Sequence, residues 1–236
     1  MTPLFALVRK ELRLYFNSPI AYIFLTVFLA LSSWFFFRGF FLVGQADLRG
    51  FFGFLPWIFL FLIPALTMRL WAEERRQGTI ETLLTSSLSL RQVVLGKFVA
   101  SFSFLLIALA ASFTLPISIH FIGSLDWGVV LAGYVGALLL GASYISFGLF
   151  VSALTSNQIV AFISSVIVLF LLFILGQSIV TFALPGFIVP FFEFFSLGSH
   201  YDAIIRGVID TRDVLYYLSF SALFLYFNYL AINAQK

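Results

Sequence analysis

Between Trp127 and Leu154 the chain runs for 28 residues without a charged side chain. A run of this kind satisfies its backbone polar groups in a helix, and roughly 20 apolar residues suffice to cross a bilayer's hydrocarbon core. Five further stretches qualify as spans: 19–41, 52–71, 93–121, 158–183 and 214–231. In chain order the third (93–121) and fourth (127–154) of the six are long enough to tilt or project beyond the bilayer. Composition agrees, since only 10% of the 236 residues are charged and 62% are hydrophobic, with a mean hydropathy of +1.10. A soluble domain carries roughly 25% charged residues and could not clothe its surface with so few. The expected fold class is therefore all-α and integral to a membrane, a single transmembrane domain over residues 1–236 with six transmembrane helices. No cleavable leader is expected, because the first apolar run is too long for one.

Basic residues orient the spans. With the N-terminus inside, the inner segments hold Arg9, Lys10, Arg13, Arg69, Arg75, Arg76, Arg91, Lys97 and Lys236. The outer segments hold only Arg38, Arg49, Arg206 and Arg212. The positive-inside rule then places both termini in the cytoplasm of a multi-pass protein of the plasma (inner) membrane. The net charge of +3 is too small to argue for a nucleic-acid partner.

Charge is concentrated in one island. Residues 69–97, RLWAEERRQGTIETLLTSSLSLRQVVLGK, hold eight of the chain's 13 basic and 10 acidic residues. The second span continues into Glu73, Glu74, Arg75 and Arg76, and Gly78 suits the position just past a helix end. Thr79 can cap a new short helix over 80–85, with Glu81 favoured in its first turn. That helix would present Ile80, Leu83 and Leu84 as an apolar knob. Ser89 and Gln92 form a capping box that opens the third span. Between two spans, such an island suits docking to a soluble partner, or an ordinary loop folded against its own spans.

Residues 4–16, LFALVRKELRLYF, place Leu4, Val8, Leu12, Tyr15 and Phe16 on one stripe, with Arg9, Lys10 and Arg13 mostly off it. An amphipathic helix lying in the inner interface is expected, its basic side chains toward lipid phosphates or a partner.

Several chemistries are excluded or weak. The Gly96-Lys97 pair lacks a P-loop's earlier glycine, because position 91 is Arg, and lacks its Ser/Thr, because position 98 is Phe. Lys97 is expected to snorkel toward headgroups. No cysteine is present, so no thiolate metal site or disulfide framework can form. His120 reads as an interface residue. No catalytic, cofactor or metal site is expected in this chain.

Residues 184–212 are apolar but interrupted by Pro185, Gly186, Pro190 and Gly198, which fits an outer re-entrant segment. Glu193 lies there among phenylalanines, either as an outer-gate residue or simply reaching water. In the fourth span Gly133, Ala137 and Gly141 recur every fourth position, a small-residue stripe read as packing within one subunit.

Four segments carry a family likeness: RKELRLYFNSPIAYIF at 9–24, RLWAEERRQGTIETLLTSSLSLRQVVLGKF at 69–98, SNQIVAF at 156–162 and SHYDAIIRGVIDTRDVLYYLS at 199–219. With the E-x-x-x-G-T-x-E pattern of Glu74, Gly78, Thr79 and Glu81, the chain resembles a permease subunit of the ABC-2 exporter family, closest to the gliding-motility-associated type. Many relatives carry a proline where this chain has Ser87-Leu88. The resemblance implies that residues 4–16 form the elbow helix and that 72–92 hold the coupling helix, seated in a separate ABC ATPase. It implies two ATPase copies, with ATP and Mg bound in them, and a second permease subunit, identical or related. It also puts the subunit interface and translocation path at the second and fifth spans, which here offer Phe54, Trp57 and Phe61, and Ser164, Ser165, Gln177 and Ser178. The rival readings are a membrane anchor or scaffold without a path, and an ATP-independent carrier. Carriers usually hold intramembrane charges, which these span cores lack.

Overall fold

The computed structural model describes residues 3–43, 47–79, 89–123, 125–182 and 184–234, and among them every regular element is a helix. In chain order these are α1 (Pro3–Phe16), α2 (Pro19–Val43), α3 (Arg49–Thr67), α4 (Arg69–Arg76), α5 (Leu90–Ser112) and α6 (Thr114–His120). Then follow α7 (Trp127–Leu154), α8 (Gln158–Ile174), α9 (Ser178–Thr181), α10 (Val189–Phe195), α11 (Leu197–Ile205) and α12 (Thr211–Asn233).

Local chemistry sets many of the boundaries. Ser18 Oγ accepts from Ile20 N–H at the start of α2. Asp126 caps α7, and Asp210 caps α12. Asn157 caps α8; its side chain accepts from Ile159 N–H at 2.9 Å. The second span is broken at Met68 into α3 and α4, and the third at Phe113 into α5 and α6.

Among the described residues, five stretches are long and apolar enough to cross a membrane: Pro19–Arg38, Arg49–Arg76, Leu90–His120, Trp127–Leu154 and Thr211–Asn233. The fourth matches its expected limits. The fifth expected span, 158–183, does not hold as one helix. It stops at Ile174 after 17 residues, turns through Leu175 and Gly176, and resumes as the single turn α9. The turn is set by close packing, because a Cβ on Gly176 would meet Ser199 Oγ and Ser196 of the α11 region.

The central helix is α7. Around it pack α12, α3, α11, α8, α5 and α4, while α1 lies along α5 and α2 along α3. The small-residue stripe is used as expected: Phe52 of α3 packs where Gly133 has no side chain, and Leu105 of α5 does so at Gly141. Methyl-sized additions there would meet ring or side-chain carbons closer than van der Waals contact allows.

At the end of the bundle where α3 and α7 begin, α11 wedges inward. Leu197, Tyr201 and Ile204 are buried, and the Tyr201 hydroxyl donates to Phe52 O at 2.8 Å. The neighbouring α10 buries none of its residues. The opposite end of the bundle holds the polar island.

Candidate functional site: a buried lysine at the root of the polar island

The island begins where α3 gives way to α4. The break leaves backbone N–H groups at the start of α4 without helical partners. Ser152 of α7 supplies them across the bundle. Its hydroxyl accepts from Trp71 N–H and Ala72 N–H, each at 3.2 Å, and donates to Met68 O at 2.8 Å. Arg75 adds a guanidinium donor to Ala153 O. Helix α4 is thus fixed to the central helix by polar contacts at both ends. It closes at Gln77, and Gly78 has φ of 69°, a left-handed turn that favours glycine. Thr79 Oγ1 donates back to Glu74 O at 3.3 Å.

On the other side of the island, α5 starts with the expected capping box. Ser89 Oγ accepts from Gln92 N–H, and Gln92 Oε1 accepts from Ser89 N–H at 2.9 Å. Two turns into α5 sits Lys97, 1% exposed. The snorkelling expectation is overturned here. Its ammonium points into protein, where it donates to Glu74 Oε1 at 2.6 Å and to Leu70 O at 2.9 Å. Glu11 Oε1 of α1 lies 3.5 Å away, and the ammonium sits 4.9 Å from the centre of the Trp71 ring. Two carboxylates, a carbonyl and an aromatic face give the charge more stabilisation inside than a bare path to headgroups would.

Helix α1 closes the cluster. Its buried line is Leu7, Glu11 and Tyr15, spaced by four, while Leu4, Val8, Leu12 and Phe16 are half-buried beside it. The expected stripe is therefore rotated by part of a turn, because Glu11 faces in to meet Lys97. Gly96 permits the approach: Leu7 fills the space a Cβ there would take. Ser101 Oγ donates to Lys97 O at 2.9 Å, so its own proton is committed, and Tyr15 O–H donates to Ser101 Oγ at 3.0 Å. Burial pushes the Tyr15 phenol well above its ordinary range, so it stays a neutral hydroxyl. The Arg69 guanidinium covers the Tyr15 ring at 5.2 Å.

The structure brings Glu74, Gly78 and Thr79 of the expected coupling residues together at this junction. Ile80, Glu81, Leu83 and Leu84 lie outside the described residues. Arg9, Lys10 and Arg13 are exposed on α1, on the face away from α5. Glu11, Tyr15, Trp71, Lys97, Ser101 and Ser152 were not expected as members. A lone cation inside an otherwise apolar run was the signal that could have found them.

The expected path residues lie elsewhere. Phe54, Trp57 and Phe61 form an exposed stripe on α3, and the Trp57 ring meets Phe173 of α8 at 5.4 Å. Ser164 is half-buried and Ser165 buried on α8. The Gln177 amide donates to Asp202 Oδ2 at 2.9 Å. Ser178 lines an open cavity of about 560 Å³ with Ile179, Thr181, Phe182 and Val189. Glu193 is exposed on α10.

Chemically, the junction binds helices and holds charge. The described residues contain no cluster of three or more histidine, aspartate or glutamate side chains suited to a metal ion. A comparison with protein families decides what such a bundle is: residues 39–233 match the family described as ABC-2 family transporter protein. The chain belongs to the ABC-2 transporter family. No curated protein matches it. This ABC-2 protein is accordingly a multi-pass membrane permease of an ABC exporter, and family membership implies an ABC ATPase as its partner.

Proposed function

We propose that this chain is the membrane-spanning subunit of an ABC-2 exporter of the gliding-motility-associated type, moved by ATP hydrolysis in a separate ATPase. One observation carries the reading. Segment 80–88 is flanked by α4 and α5, and both flanks converge on Lys97, which also holds α1 through Glu11. A push on that segment acts on three helices that share one buried charge, and α4 passes it on to the central helix through Ser152. In this reading α1 is the elbow helix, 80–88 contains the coupling helix, and the junction lies on the cytoplasmic side with both termini. Two ATPase subunits bind ATP and Mg, and two permease subunits meet along the second and fifth spans. Helix α8, lengthened by α9, supplies the sixth crossing. The uncovered apolar stripe of Phe54, Trp57 and Phe61 suits a lipid-linked or amphipathic cargo better than a small ion.

The test targets the apolar knob. Burial of one leucine side chain is worth roughly 1.5–3 kcal/mol, so Leu83→Asp with Leu84→Asp should strip the ATPase from the permease or leave its hydrolysis uncoupled. Thermal stability of the membrane domain should hold, because the segment lies beyond the spans. Normal docking and normal transport-linked hydrolysis in the double variant would overturn the coupling role and favour an anchor or carrier.

A further inference from the structure

At the end of the bundle opposite Lys97, one histidine has both ring nitrogens engaged. His200 of α11 places Nδ1 2.6 Å from Asp213 Oδ1 on α12 and Nε2 3.2 Å from the Phe194 carbonyl on α10. A carbonyl oxygen only accepts, and so does an ionised carboxylate. A neutral imidazole has one N–H and one lone pair, so it can serve one such acceptor. Serving both takes a second proton, carried on the ring or shared with the carboxyl across the short contact.

We propose that His200, Asp213 and the Phe194 carbonyl form a proton-binding site that latches α10 onto α11 and α12. With the proton bound, both bonds stand. When it leaves, the bond to Asp213 persists, because a charged acceptor makes the stronger bond. Nε2 then turns a lone pair on the Phe194 carbonyl. Helix α10 has no buried residue of its own. Among the described residues, its other polar tie to α12 is the Tyr216 hydroxyl, which donates to Phe195 O at 2.7 Å. An element held by so few contacts is the first to open.

The neighbouring polar groups are engaged elsewhere or exposed. From α12, the Tyr216 ring stacks on the imidazole at 4.0 Å and the Tyr217 ring stands 6.4 Å away. Both phenols are committed as donors, Tyr217 to Leu197 O at 2.6 Å. On α10 the charged side chain is Glu193, which is exposed. On α11 itself, Asp202 is held by Gln177, and Arg206, Asp210 and Arg212 beyond it are exposed. Histidine is the side chain that changes charge between about pH 5 and 8.

Hydrogen exchange of the full chain in lipid nanodiscs tests the latch. Protection of the peptides covering 189–197, corrected for intrinsic exchange, should fall at least about ten-fold as pH rises from about 5 to 8, the size expected for losing a hydrogen bond to a charged group. His200→Gln should abolish the step and leave the segment poorly protected at every pH, whereas His120→Gln should keep it. Asp213→Asn should move the step to lower pH, because a neutral amide holds the imidazolium less well. A pH-independent protection in the wild type, or an unchanged step in His200→Gln or Asp213→Asn, would overturn the proposal.

Discussion

Lys97 shows how much one side chain can organise. Its ammonium is enclosed by Glu74, Glu11, the Leu70 carbonyl and the Trp71 ring. Removing one partner of a buried ion pair costs about 3–5 kcal/mol, because the remaining charge is stranded, whereas replacing the whole set by apolar groups can be nearly neutral. Lys97→Met should therefore lower the thermal midpoint strongly. Glu11→Leu, Glu74→Leu and Lys97→Met together should recover most of it. If the cluster transmits motion, the triple variant stays folded and loses transport-linked ATP hydrolysis. An unchanged midpoint in Lys97→Met would contradict the buried ion cluster, and full transport in the triple variant would reduce it to packing.

Among the elements, the contact of α1 with α5 is the most exposed to test. Overpacking of a tight site costs typically 1–3 kcal/mol. Gly96→Leu places a branched side chain where Leu7 now lies, and it should lift α1 away. Trypsin then gains its sites at Arg9, Lys10 and Arg13, and cleavage there should be several-fold faster than in the wild type, while cleavage at the exposed Arg206 is unchanged. Equal rates at both places would mean that α1 does not depend on this seat.

The same helix shows what the sequence could and could not tell. Its existence was legible, because apolar and basic residues separate along it. Its rotation was not, because the inward Glu11 is matched by a lysine 86 positions later, and such a match leaves no mark on local periodicity. Cap residues were readable where their hydrogen bonds are local, as at Ser89 with Gln92 and at Gly78. The early end of α8 was hidden, since the chain is apolar at Leu171–Leu175 before the turn and again at Ile179, Val180 and Phe182 after it, and the cause is contact with Ser196 and Ser199. The candidate site was half visible: Glu74, Gly78 and Thr79 by motif, but Ser152 and Tyr15 only through the fold.

For the whole molecule, the uncovered surface is apolar on α2, α3, α8 and α12, as Trp34, Trp57, Ile167 and Leu218 show. Lipid and, in the proposed reading, a second permease subunit cover it, and the same reading gives the island at one end a water-soluble partner. In the proposed reading, the energy for export enters through that partner. Purification from native membranes in mild detergent, with every co-purifying chain identified and quantified, tests this most directly. The account predicts an ABC ATPase at one copy per permease chain, with ATP hydrolysis by the complex. Recovery without an ATPase, or with a partner of another class in its place, would contradict it.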